Sequence, residues 1–68
     1  MNNRFLYEYV LFRAYELHAH RDQLSAPDVT LLDFVITTLS NPDTASNGAA
    51  LRCLEDTTWH VWRNWKDL

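Results

Sequence analysis

His18, His20, His60 and Cys53 are the residues whose types could hold a metal ion or supply a nucleophile. On a helix, His18 and His20 point roughly 200° apart and cannot share an ion. Cys53 and His60 fall on one face, but two turns apart, roughly 10 Å along the axis. Zinc requires three or four ligands with local geometry, and this spacing does not provide them. Cys53 falls on the presumed inner face of its helix, where a thiol behaves as a small, inert hydrophobe. Ser25, Ser40 and Ser46 stand at helix boundaries and read as caps, and the consecutive Glu55 and Asp56 diverge into solvent. Gly48 is the only glycine, so no glycine-rich phosphate loop can form. Neither catalysis nor a cofactor is implied.

Aromatic side chains carry the stronger signal. Trp59, Trp62 and Trp65 recur every three residues, so they sweep across the helix surface and cannot share one narrow core stripe. Trp65 lies nearest the Leu54/Val61 face and is expected inside, whereas Trp59 projects almost opposite and is expected to be at least partly exposed. On one reading the three together clamp a small core. Alternatively they are interface anchors, since Trp, Tyr and Arg dominate binding hot spots, with Arg63 and Lys66 as charged rim. Near the start of the chain, Leu6, Val10, Ala14 and Leu17 fall on one side of a helix with Tyr7 beside them, while Phe5, Tyr9 and Phe12 fall on another. These three either widen the core face or form a second contact surface.

Three helices must position these residues. The first is expected over about 3–21, the second over about 27–39 and the third over about 46–66. Ser25-Ala-Pro-Asp28 is a helix start, with a capping serine, a proline tolerated in the first turn and an acid at the positive end of the dipole. Val29, Leu32, Ile36 and Leu39 then form a seam, with Thr30, Asp33 and Thr37 outward. The β-branched run Val35-Ile-Thr-Thr38 lowers helix propensity, but a strand there would have no strand to pair with. Asn41-Pro42 stops the second helix, and Asp43 or Thr44 can cap the third. Ala50, Cys53, Leu54, Thr57 and Val61 define the inner face of the third, with Leu51 and Thr58 at its edge. The fold class is therefore all-α, a compact three-helix bundle forming a single small domain over residues 1–68. A chain this short buries only about 60% of its unfolded surface, so completion by self-association is expected.

Charge and composition narrow the partners. The net charge is −3, and Arg4, Arg13, Arg21, Arg52, Arg63 and Lys66 are dispersed along the chain. A nucleic-acid binder concentrates positive charge on one face, so nucleic acid is an unexpected partner. A helix-turn-helix made of the second and third helices would offer only Asn47 and Arg52 before turning acidic. A hydrophobic fraction of 47% argues against disorder. Glu8, Arg13 and Glu16 interrupt the first apolar segment, so no membrane span is expected. Met1-Asn-Asn-Arg4 ahead of an apolar stretch is superficially like a signal peptide, but no small-residue cleavage site follows. A lone cysteine excludes an internal disulfide, and the expected location is the cytoplasm.

Pro42-Asp-Thr44 followed by Ala50-Leu51, Leu54-Glu55-Asp56 and a tryptophan slightly resembles the final helix of a family of small phage-encoded helical proteins. That family sequesters the cyclic-nucleotide signals of anti-phage CBASS systems. The resemblance is confined to this short stretch of common helix residues, and the long aromatic first helix and short second helix depart from the family, so membership is not assigned. It implies that aromatic rings and scattered arginines, brought together by oligomerisation, could hold a small anionic ligand such as a cyclic nucleotide. From the residues themselves the expectation is a non-catalytic inhibitor or regulator of the phage or mobile-element type, forming a homodimer or higher homo-oligomer. It would dock Phe5, Tyr9, Phe12, Trp59, Trp62 and Arg63 on a host or partner protein.

Overall fold

The computed structural model describes residues 3–66. Met1 and Asn2, at the head of the stretch compared above with a signal peptide, lie outside them. Helix α1 spans Asn3–Ala19, α2 spans Ala26–Leu39 and α3 spans Gly48–Lys66. Two 3₁₀ turns, Arg21–Gln23 and Pro42–Ser46, make the connections. The result is an all-α three-helix bundle of 35 × 19 × 16 Å.

Local chemistry sets each helix end. Ser25 is extended (ψ 156°), and its hydroxyl accepts from the Asp28 backbone N–H at 3.4 Å, with Pro27 in the first turn as expected. Helix α1 stops at Ala19 instead of running to 21, because the chain tightens there: the His20 N–H bonds to the Leu17 carbonyl, in 3₁₀ fashion. The cap of α3 also differs from expectation. Asp43 and Thr44 belong to the 3₁₀ turn, which Asn41 caps by accepting from the Asp43 N–H at 3.0 Å. Asn47 caps α3 by accepting from the Ala50 N–H at 3.1 Å, so α3 begins at Gly48, two residues later than expected. The β-branched segment of α2 is helical. The Thr38 hydroxyl donates to the Phe34 carbonyl at 2.8 Å, and burial of Val35 and Leu39 outweighs the small propensity cost.

Hydrogen bonds between the helices fix their directions. The Tyr7 hydroxyl, near the start of α1, donates to the Leu39 carbonyl at the end of α2 (3.1 Å). The Asn64 amide, near the end of α3, donates to Asp28 at the start of α2 (3.4 Å). Thus α2 is antiparallel to both neighbours, and α1 and α3 run parallel. The core has two layers. Val10, Ala14, Val35, Leu39, Leu51 and Leu54 form the first, and Leu17, Leu32 and Val61 form the second.

Two expected faces are rotated. In α2 the buried residues are Asp28, Leu32, Val35 and Leu39, while Val29 and Ile36 are half-buried. Because α2 lies against two helices, its buried stripe is centred between them. In α3 the buried residues are Leu51, Leu54, Thr58 and Val61; Ala50 and Thr57 are half-buried and Cys53 is exposed. A threonine can occupy the centre of that face because its hydroxyl donates to the Leu54 carbonyl at 2.7 Å and enters the core satisfied. That rotation takes Cys53 out of the core.

Candidate docking surface between the first and third helices

Phe5 and Phe12 are 78% and 67% exposed on α1, and Trp59 is 42% exposed on α3. Arg63 is exposed too. Tyr9 and Trp62 differ from these: both are half-buried, Tyr9 against the first core layer and Trp62 against the second. Tyr9 and Trp62 widen the core, while Phe5, Phe12 and Trp59 project from it.

These residues converge because α1 and α3 run parallel. Tyr9 and Arg13 from α1 face Glu55, Trp59 and Trp62 from α3 across an open cleft whose floor includes Val10 and Thr58. The cleft encloses about 10 Å³, roughly the space of one water. It is therefore a surface groove without room for a buried ligand. The Trp59 and Trp62 rings meet edge to face, with centroids 5.0 Å apart at 82°, a preferred aromatic geometry. Phe5 and Phe12 lie on the outward side of α1, turned roughly 40° and roughly 60° from Tyr9 away from Val10 and Arg13, and do not line the groove.

Charge at the groove is mixed. The Arg13 guanidinium lies 5.8 Å from the Tyr9 ring centroid and bonds Glu16 at 2.8 Å. Hydrogen bonding to Glu16, and after it to Tyr9, raises the Arg13 pKa further, so this cation is permanent. The Lys66 ammonium sits 5.7 Å from the Trp62 centroid and 4.6 Å from that of Trp65. Arg13 was not evident as a groove residue from sequence, because its position depends on which neighbour α1 turns towards.

Several expectations need correction. Trp65 is half-buried at the end of the bundle instead of inside it. Its indole N–H donates to Gln23 at 3.1 Å, and His20 stacks on its ring at 5.0 Å and 21°. His18 faces Asp33 at 3.3 Å across α1 and α2. Both histidines thus make tertiary contacts. Cys53 is exposed, which removes the burial that made its thiol look inert. Two exposed aromatics were missed, Tyr15 and Phe34. Angular position alone could have found Phe34, which lies almost opposite Leu32 and Leu39 on α2.

No family model, curated protein or solved structure matches this chain. Among the described residues, no group of three or more His, Cys, Asp or Glu side chains could hold a metal ion. No described helix is long and apolar enough to cross a membrane.

Proposed function

We propose that this protein acts by binding, without catalysis, and that the α1/α3 surface docks on a partner protein, which it inhibits or regulates. One observation carries this reading: Trp59 stands in solvent beside a groove whose walls, Tyr9 and Trp62, pack against the core, and Phe5 and Phe12 are exposed on the outward side of α1 beyond Tyr9. Packed walls beside a projecting tryptophan suit a hot spot, because the wall side chains have already given up much of their freedom to the core. Arg13, Arg63 and Lys66 supply a polar rim. Small size and acidity fit an accessory protein of phage or mobile-element type, working in the cytoplasm. The alternative, a homo-oligomer that sequesters a small anionic ligand, draws on the cations over the Tyr9 and Trp62 rings. It would require a second copy to complete the site, because the groove of one copy is too shallow for a nucleotide and Glu55 lines it.

The test is affinity capture from lysate of a plausible host, quantified for wild type, Trp59→Ala, Phe12→Ala and Phe34→Ala. Loss of a specific protein with the first two but not with Phe34→Ala, all variants keeping their helical spectra, is the expected result. Equal recovery with all four would remove this surface from consideration.

A further inference from the structure

The outward stripe of α3 carries opposite charges on either side of an aromatic residue. Glu55 and Asp56 stand one turn before Trp59, and Arg63 stands one turn after it. Asp56, Trp59 and Arg63 are exposed and Glu55 is half-buried. Turned end for end, such a stripe is complementary to itself.

We infer that a second copy of this chain docks on this face, its α3 antiparallel to the first, with the two-fold axis at Trp59. The symmetry brings the two Trp59 rings together and sets Glu55 of each copy across from Arg63 of the other, as an isologous interface requires. Like charges at the far ends, Arg52 and Lys66, need not collide, because Lys66 is drawn back onto the Trp62 and Trp65 rings. A partner carrying one sign of charge would meet both signs on this stripe, whereas a second copy matches both. One helix pair roughly 28 Å long makes a small interface, so the dimer dissociates on dilution. The two-fold contact covers the same Trp59 and Arg63 that the partner-docking reading uses, so a second copy and a partner compete for this face; the readings are told apart by Glu55, which is essential to the two-fold contact and is no anchor in the other.

Sedimentation velocity over a dilution series of the full chain tests it, using wild type, Glu55→Arg, Arg63→Glu and an equimolar mixture of those two variants. Wild type should dimerise, less so in roughly 0.5 M salt, which screens the paired charges. Each single variant repels its own copy and should associate about tenfold more weakly. Mixing them should restore association, because both contacts in a mixed pair are again of opposite charge. A wild type that stays monomeric throughout the series overturns the proposal. So does a mixture that associates no better than either folded variant alone. Should a reversal unfold the chain, Glu55→Gln and Arg63→Gln replace the pair: each must weaken the wild-type dimer, and no change with either overturns the proposal.

Discussion

Leu32 and Phe34 stand two residues apart on α2 and illustrate how little residue type alone decides. Leu32 is 0% exposed in the second core layer, and Phe34 is 60% exposed on the opposite side of the helix. Leu32→Ala should therefore cost about 2–5 kcal/mol, from lost transfer energy plus a cavity between three helices. Phe34→Ser should change stability by no more than about 0.5 kcal/mol, because the ring has few neighbours to lose. Urea denaturation of the two variants checks the contrast, and similar losses for both would show that Phe34 is covered. The polar core residues follow the same logic of satisfaction. Thr58 and Thr44 are buried only because their hydroxyls reach the carbonyls of Leu54 and Thr38. Setting Leu51 and Thr58 at the edge and Cys53 and Thr57 inside therefore placed the centre of α3 one step round the helix from where it lies.

At the scale of elements, start signals were legible because they are local. Ser25 with Asp28 and Pro27 marks the beginning of α2 within four residues, and no distant contact is needed to interpret it. The start of α3 was less legible, since Ser46, Asn47 and Gly48 offer three competing boundaries and the 3₁₀ turn uses the first of them. Gly48 does not adopt a positive φ, so nothing in its own backbone demands glycine. A Cβ there would meet the Asn3 side-chain oxygen at 3.3 Å, and that amide, held among the described residues by one long 3.5 Å bond to the Ser46 carbonyl, can give way. Gly48→Ala should accordingly stabilise the protein by about 0.5 kcal/mol through reduced freedom of the unfolded chain. In a domain of this size that raises Tm by roughly 2–4 °C, which calorimetry would resolve; a lower Tm would mean Asn3 is held more firmly than its bond length implies.

For the whole molecule, the ends matter most. Trp65 joins the last turn of α3 to the turn after α1 through Gln23 and His20, with Lys66 on its ring. Trp65→Ala should destabilise by about 2 kcal/mol, less than a fully buried tryptophan would. It should also speed amide hydrogen exchange at both Gln23 and the end of α3, while the Val10–Leu51 layer keeps its protection. Uniform acceleration would mean that the bundle opens only as a unit. The sequence by itself determined three helices, their approximate breaks, the buried side of α1 and the exposure of Trp59, because periodicity and capping act within a few residues; it left open whether Phe5 and Phe12 widen the core or project from it. Only tertiary structure decided that Tyr9 and Trp62 serve both core and groove, that Arg13 joins them, and that His20 rests on Trp65. These follow from α1 and α3 running parallel with α2 wedged behind. That arrangement depends on which flank of each stripe finds a neighbour, and periodicity within one helix contains no record of it.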